Sequence, residues 1–369
     1  MKMNFIDLKK QYSLIEKEVQ DKIQQVLNHG QYILGPELHE FEEQLCNFSK
    51  SKYAVTCSNG TDALLLTILS LQLKEGDEVI MPSYTYFATA EMFMLHGIKP
   101  IFCDIEKDTF LMDASKIEEL ITSKTRAIVP VPLFGQPCDM NEINDIAKKH
   151  NIYVIEDAAQ SFGATYHGKV SGTLAPLATT SFFPAKPLGC YGDGGAVFCQ
   201  DEERYNHLKK LRFHGEASKN FHDELGINGR MNTLQCAILQ VKLDIFPKEL
   251  KLREQVAQKY HERLNKINAL KTPTVKENRT SSWAQYSILL DPKINRDDFV
   301  DKIKAEGIPV AVYYPRGIHQ QPICKTLGYD KAHLPVTEEV SQHILSLPMH
   351  PYLSDENIDD VCKTIEKLI

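Results

Sequence analysis

The sequence lacks the features of a membrane or exported protein. No uninterrupted apolar run approaches the roughly 20 residues that cross a bilayer, and residues 1–11 already carry charges at Lys2, Asp7, Lys9 and Lys10. Charge of one sign is also scarce, since 42 Lys and Arg face 49 Asp and Glu for a net charge of −7. We therefore expect no export signal, no membrane and no nucleic acid as a partner.

Metal-binding and disulfide patterns are missing as well. The nine cysteines are an odd number, form no CxxC pair and lie in no His/Cys cluster with zinc spacing. The 13 histidines contain no HExxH pair. These absences predict reduced thiols, a cytoplasmic location and no metal site.

Composition and periodicity predict an α/β fold in two domains. Hydrophobic residues make up 43% of the chain and charged residues 25%, which is typical of a globular protein. Between about residues 52 and 200, short apolar strands alternate with helical patterns, so we expect a mostly parallel sheet covered on both faces. We assign residues 1–245 to this large domain and residues 246–369 to a small C-terminal α+β domain with a connecting helix.

Four local patterns in the second half of the chain predict the elements of the connector and the small domain. Thr233–Phe246 and Lys248–Ile267 each have helical periodicity, so two long helices are predicted there. Strands are predicted at Trp283–Leu290 and Val310–Tyr314.

The first candidate site is the segment Ser58–Leu66, which follows a predicted strand and begins a helical pattern. Free backbone N–H groups and the positive end of a helix meet at such a turn, and Gly60 and Thr61 would add space and a hydroxyl for an anion. Ordinary N-capping by the same polar residues explains the pattern equally simply.

The second candidate is Asp157, at the end of the apolar strand pattern Tyr153–Glu156. Ligands of α/β proteins bind at the carboxyl ends of parallel strands, so Asp157 is placed to face a cavity. The alternative is that Asp157 caps the following turn and that Gln160 is a solvated polar residue.

The third candidate is Lys186, which lies in an otherwise apolar stretch followed by glycines at positions 189, 192, 194 and 195. Burial lowers the pKa of a lysine, and a neutral amine is what carbonyl chemistry requires to form a Schiff base. A surface lysine beside a glycine-rich hairpin is the alternative.

Five motifs in order resemble the DegT-type family of pyridoxal-phosphate sugar aminotransferases, and the match runs nearly end to end. The motifs are SNGTDAL, PSYTYFATAE (Pro82–Glu91), EDAAQSFGA (Glu156–Ala164), SFFPAKPLGCYGDGGA (Ser181–Ala196) and GINGRMNTLQCAIL (Gly226–Leu239). The resemblance implies the aspartate-aminotransferase-like (type I) fold, with pyridoxal 5'-phosphate as cofactor.

The resemblance also implies roles for individual residues toward that cofactor. Lys186 would bind it as a Schiff base and shuttle a proton, and Asp157 would pair with the pyridinium nitrogen. The other implied contacts are the ring 3-oxygen for Gln160, the ring face for Tyr86, and the phosphate for Gly60, Thr61, Ser181 and, from the neighbouring subunit, Asn228.

For the substrate side, the resemblance implies a homodimer with shared active sites. Arg230 is a candidate partner for a substrate anion because its planar guanidinium suits carboxylate or phosphate, and Arg316 is an alternative. Tyr313 and His319 are further substrate-side candidates.

The resemblance implies transfer of an amino group from L-glutamate to a nucleotide sugar. Lys186 is retained where dehydrating relatives have histidine, which favours transamination. The segments Ser181–Ala196, Ala284–Tyr286 and Ser346–Pro351 are similar to those of members that aminate UDP-2-acetamido-2-deoxy-3-oxo-D-glucuronate for bacterial surface polysaccharide, such as lipopolysaccharide. A dTDP-3-oxo-6-deoxyhexose, a 4-oxo sugar and a non-catalytic regulator stay open as alternatives.

Overall fold

A computed structural model describes residues 3–369 of the chain. Helices begin at recognisable signals: the Asp7 side chain accepts a hydrogen bond from the Lys10 N–H at the start of the first helix, and Pro36 occupies the first turn of the second. The α-helices are α1 Leu8–His29, α2 Pro36–Ser49, α3 Gly60–Ser70, α4 Ala88–Leu95, α5 Met140–His150, α6 Glu202–Leu211, α7 Thr233–Leu264, α8 Arg296–Ala305, α9 Pro322–Thr326, α10 Pro335–His343 and α11 Asp355–Leu368.

The strands are mostly short, and those of the central sheet are four or five residues long. They are β1 Tyr53–Cys57, β2 Glu78–Pro82, β3 Lys99–Cys103, β4 Thr125–Ile128, β5 Tyr153–Asp157, β6 Thr165–Tyr166, β7 Lys169–Val170, β8 Leu177–Ser181, β9 Gly195–Cys199, β10 Glu216–Ser218, β11 Phe221–His222, β12 Leu270–Lys271, β13 Tyr286–Leu290 and β14 Ile344–Leu347.

The central sheet has seven strands in the order β1-β9-β8-β5-β4-β2-β3. Strands β8, β5, β4, β2 and β3 run parallel to one another, and only β9 pairs antiparallel with its neighbours β8 and β1. The carboxyl ends of β1, β2, β5 and β8 therefore meet at one edge. The prediction of a mostly parallel sheet in an α/β fold is confirmed.

Helices cover both faces of this sheet because its side chains alternate between two buried layers. Val79 and Met81 pack on one face with residues of α3, α4 and α6, whereas Ile80 between them packs on the other face with α5. Helices α2 and α7 extend the second layer over β8 and β9. The sheet core is thus closed to water on both sides, and ligand access is left to the strand ends.

The prediction of two helices in the connector is wrong, because α7 is one continuous helix of 32 residues with Pro247 inside it. Proline removes one helical hydrogen bond, but packing on both sides of it outweighs that loss. The first half of α7 packs on α1 and α2, and the second half contributes Val256, Tyr260 and Leu264 to the core of the C-terminal part. The predicted boundary at residues 245/246 falls within this helix.

The C-terminal part contains a three-stranded antiparallel sheet, β12-β13-β14, packed against α7, α8 and α11. The predicted strand at Val310–Tyr314 is wrong, since only Ala311 forms a bridge, to Ser346. The segment turns instead toward the central sheet, where the Tyr314 N–H donates to the Tyr84 hydroxyl at 2.7 Å. Among the helices of residues 3–369, none is both long and apolar enough to cross a bilayer.

Candidate active site

The turn between β1 and α3 forms an anion site at the edge of the sheet. Asn59 caps α3, and its side-chain oxygen accepts the Asp62 N–H at 2.8 Å, which leaves the N–H groups of Gly60 and Thr61 without helical partners. A Cβ on Gly60 would lie 2.7 Å from Cβ of Ser181, so only glycine lets the two strand ends come this close. The turn and the Ser181 hydroxyl together suit a phosphate group.

Asp157, the last residue of β5, holds a buried carboxylate in the same region. One carboxylate oxygen accepts the Thr89 hydroxyl at 2.9 Å and the other accepts the Ala159 N–H at 3.3 Å. The preceding Glu156 points away and accepts the Ser171 hydroxyl at 2.6 Å. Of these two carboxylates, only that of Asp157 faces the cavity.

The surroundings of Asp157 leave its charge only partly compensated. Burial raises the pKa of this carboxyl, and the Thr89 hydrogen bond and the charge of Lys186 oppose that rise. A buried carboxylate requires a cationic partner to remain ionised at low cost. The arrangement therefore suits a ligand with a protonated nitrogen.

Lys186 lies in the loop between β8 and β9, close to Asp157. Its backbone N–H donates to the Phe183 carbonyl at 2.8 Å. The loop closes so tightly that a Cβ on Gly189 would lie 2.5 Å from the Pro184 oxygen. Burial lowers the pKa of the Lys186 amine, and the charge of Asp157 opposes this. A lowered pKa increases the fraction of neutral amine, the nucleophilic form.

The remaining walls of the cavity come from Gln160 and from tyrosines. Gln160 is fixed because its side-chain oxygen accepts the Phe134 N–H at 2.9 Å. Tyr86 is 59% exposed and its ring centroid lies 6.4 Å from that of Tyr314. The Tyr86 ring is thus free to cover a flat ligand.

These groups line one cavity of about 620 Å³, a size that suits a cofactor together with part of a substrate. Lys186 is the only Lys or Arg among its described lining residues, which include the carboxylates of Asp62, Asp157 and Asp193. The predicted site residues that line it are Gly60, Thr61, Tyr86, Asp157, Gln160, Ser181, Lys186 and Tyr313.

The loop that carries Asn228 and Arg230 does not contribute to this cavity within the single chain. The Arg230 guanidinium donates from Nε to the Asn228 side-chain oxygen at 2.8 Å and lies 4.8 Å from the centre of the Phe213 ring. The loop backbone is nevertheless joined to the anion site, since the Ser58 N–H donates to the Gly229 carbonyl at 2.9 Å. Asn228 and Arg316 are both exposed.

His319 also lies outside the cavity, because its ring is buried behind the loop that follows β2. Nδ1 is 2.7 Å from the Ser83 hydroxyl and Nε2 is 3.4 Å from a Glu338 carboxylate oxygen. Burial lowers the pKa of His319, which favours the neutral ring. In the described chain His319 therefore supports the segment that leads to Tyr84 and Tyr86 and does not contact the cavity.

Among the lining residues to which the sequence analysis gives no role are three with polar side chains, Thr89, Gln285 and Tyr314. Thr89 and Gln285 occur in motifs singled out above, but nothing in a linear sequence indicates that Thr89 reaches Asp157. Tyr314 was placed in a predicted strand. Each contact depends on packing between distant segments.

The anion site, the buried carboxylate and the buried amine together fit pyridoxal 5'-phosphate. The phosphate matches the free N–H groups at Gly60 and Thr61, and the pyridinium nitrogen supplies the cation that Asp157 lacks. The aldehyde carbon suits the amine of Lys186. The residues present thus fit the group without rearrangement of the sheet edge.

Comparison with known proteins gives the same result. The model of the DegT/DnrJ/EryC1/StrS aminotransferase family matches residues 13–366. A UDP-2-acetamido-2-deoxy-3-oxo-D-glucuronate aminotransferase of Pseudomonas aeruginosa is 46% identical over 98% of this chain and 99% of its own length. A pleiotropic regulatory protein of Geobacillus stearothermophilus is 38% identical over 99% of this chain and 98% of its own.

Solved structures share the fold throughout. NtdA from Bacillus subtilis, solved with the bound cofactor PMP, superposes with a TM-score of 0.90 at 30% identity, covering 99% of this chain and 83% of that one. The prediction of the type I aminotransferase fold and of pyridoxal phosphate as cofactor is confirmed. The chain belongs to the DegT/DnrJ/EryC1/StrS aminotransferase family and is a pyridoxal-phosphate-dependent sugar aminotransferase.

Proposed function

We propose that the enzyme transfers the amino group of L-glutamate to the C3 keto group of UDP-2-acetamido-2-deoxy-3-oxo-D-glucuronate. The observation that carries the proposal is the cavity in which Lys186 and Asp157 face each other beside the anion turn at Gly60. The 46% identical relative, named for this reaction, supports the choice of sugar. When bound, pyridoxal phosphate supplies an electron sink that stabilises negative charge on the substrate carbon.

Lys186 would act as the acid and base of the reaction. Burial lowers the pKa of its amine, which increases the fraction of neutral Nζ that can accept a proton from a substrate carbon and return it at a second position. The tight loop at Gly189 places the backbone of Lys186 beside the cavity. One amine can therefore serve both proton transfers without a second base.

Asp157 would hold the ring nitrogen in its protonated form. Two hydrogen bonds, from Thr89 and Ala159, fix the carboxylate so that its free lone pairs point into the cavity. Gln160, held by the Phe134 N–H, would contact the ring 3-oxygen. Tyr86 would cover the ring face.

The charge of the cavity supports a site shared between two subunits. Substrate and cofactor bring several negative charges, yet Lys186 is the only Lys or Arg among the described lining residues. The side chain of Phe221 in the hairpin β10–β11 is 60% exposed, and that of Leu225, three residues after the hairpin, is 90% exposed. We propose a homodimer in which this hairpin packs on a second copy and the next loop brings Asn228 to the cofactor phosphate and Arg230 to the sugar carboxylate.

Complementation between two inactive variants tests the shared site. Lys186→Ala and Arg230→Ala subunits are mixed in the unfolded state and refolded together. Activity is expected to return because each mixed dimer contains one site with both residues intact. Random pairing gives about a quarter of wild-type activity, since half of the dimers are mixed and each has one intact site. A mixture as inactive as either variant alone would contradict the shared arrangement.

The acceptor sugar is tested by direct comparison. The pyridoxamine form of the enzyme is mixed with UDP-2-acetamido-2-deoxy-3-oxo-D-glucuronate or with a dTDP-3-oxo-6-deoxyhexose, and return of the pyridoxal absorbance is followed. We expect the UDP-glucuronate derivative to react at least about 100-fold more efficiently, because a desolvated carboxylate that pairs with Arg230 is worth about 3 kcal/mol. Equal rates, or preference for the dTDP sugar, would reject the proposed acceptor.

The biological setting follows from the acceptor. A 2,3-diamino sugar nucleotide made by this reaction would serve bacterial surface polysaccharide synthesis in the cytoplasm. The complete set of Lys186, Asp157 and the anion turn favours catalysis over a purely regulatory role, although one relative carries the name of a regulator. A variant that has lost transamination but keeps its full regulatory effect in cells would favour the regulatory role instead.

A further inference from the structure

The cavity has one wall that the cofactor contacts proposed above leave unused. Gly60, Thr61 and Ser181 surround the phosphate position, and Asp157 and Lys186 surround the ring position. The remaining wall is formed by Gln285, Tyr313 and Tyr314. It is uncharged, aromatic and able to form hydrogen bonds.

The backbone around Gln285 is held firmly against the large sheet. The Gln285 N–H donates to the Phe134 carbonyl at 3.4 Å, and the Ser282 N–H donates to the Gly135 carbonyl at 3.0 Å. The Ser282 hydroxyl donates to the Gln160 carbonyl at 2.6 Å. The position of Gln285 is therefore fixed relative to a residue that lies beside the cofactor.

The side chain of Gln285 lacks a hydrogen-bond partner. Its amide oxygen is shielded from water and accepts no hydrogen bond from the described residues, although an unpaired buried acceptor is costly. The side chain lies between the large cavity and a smaller one lined by Thr109 and Phe134. Because the terminal torsion of an amide is soft, the oxygen can turn toward a ligand at little cost.

We propose that Gln285 is a specificity residue that orients the sugar by accepting a hydrogen bond from a hydroxyl or acetamido N–H group. The wall on which it lies carries no Lys or Arg among the described residues, so it offers no cation to the two carboxylates of glutamate. Tyrosine rings beside an amide suit the polar edge and apolar face of a pyranose. The sugar's identity rests on the proposed function.

The test uses Gln285→Met, which keeps the length of the side chain and removes the amide. The matched control is Gln258→Met, the same change at an exposed position of α7. Calorimetry on the holoenzyme measures the affinity for UDP-2-acetamido-2-deoxyglucuronate, the unreactive 3-hydroxy analogue. Stopped-flow absorbance measures the reaction with L-glutamate alone.

We expect Gln285→Met to raise the Kd of the analogue by about 3- to 10-fold, the effect of one lost uncharged hydrogen bond. The rate with glutamate should stay within about twofold of wild type, because this wall offers no cation to the glutamate carboxylates. An unchanged Kd, or equal losses with analogue and glutamate, would overturn the assignment. If the wild-type enzyme does not react with glutamate, the proposed function fails, while the calorimetry still judges Gln285 because it requires no turnover.

Discussion

Lys186→Ala is expected to abolish transamination, with kcat reduced by more than about 10³-fold, because no other amine lines the described cavity. In the proposed function this amine both attacks the cofactor aldehyde and moves the proton. Loss of both roles leaves no substitute within reach. Steady-state assays with L-glutamate and the 3-oxo sugar measure the effect.

Two companion measurements separate lost chemistry from lost structure. The anion turn at Gly60 is untouched by the change, so Lys186→Ala should still bind pyridoxamine phosphate with an affinity close to that of wild type. Lys186→Arg should be equally inactive, since a guanidinium stays charged and cannot act as a nucleophile. Substantial turnover by either variant would remove Lys186 from the centre of the reaction.

Asp157→Asn is expected to lower kcat by about 10²- to 10³-fold, or about 3–4 kcal/mol. The substitution keeps an oxygen for the Thr89 hydroxyl, gives up the weaker 3.3 Å bond from the Ala159 N–H, and removes the charge that is proposed to hold the ring nitrogen protonated. A pair at about 3 Å in an effective dielectric of about 20 is worth about 5 kcal/mol before desolvation is subtracted. Asp145→Asn, at an exposed position of α5, is the charge-matched control and should remain fully active.

Asp157→Asn, although it lowers kcat, is expected to stabilise the protein when the cofactor is absent. Burial raises the pKa of Asp157 above the unfolded value of about 3.9, so its ionisation costs stability as pH rises through that value. Removing the charge should therefore raise the melting temperature of the apoprotein at neutral pH. A lower melting temperature together with unchanged kcat would indicate that Asp157 is structural.

The parts of the site that sequence predicted are local to strand ends. Gly60 and Asp157 each follow an apolar strand pattern, and Lys186 lies in an apolar stretch beside glycines, whereas Ser181 is named through the family resemblance alone; the parallel order of the strands brings these residues to one edge. The chemistry of each residue type could then be inferred from a few neighbours. Such features require no knowledge of distant contacts.

The parts that sequence did not predict depend on distant contacts. The periodicity predicted two helices on either side of residue 247, but packing against α1, α2 and the C-terminal core keeps α7 continuous. The imidazole of His319 is chemically able to bind a substrate, yet a hydrogen bond with Ser83, more than 200 residues away in sequence, holds it in the interior. Arg230 and Asn228 lie outside the cavity of their own chain, and only the family resemblance, not the residues themselves, points to a partner subunit whose site they would reach.

The most direct test of the account is the absorbance spectrum of the purified holoenzyme during one turnover. L-Glutamate should bleach the pyridoxal band, and the 3-oxo UDP-sugar, added after glutamate and 2-oxoglutarate are removed, should restore it. Lys186→Ala should show neither change. A cofactor band that glutamate never bleaches would contradict the account, because an intact Lys186 and Asp157 would then be present without the chemistry they are proposed to perform.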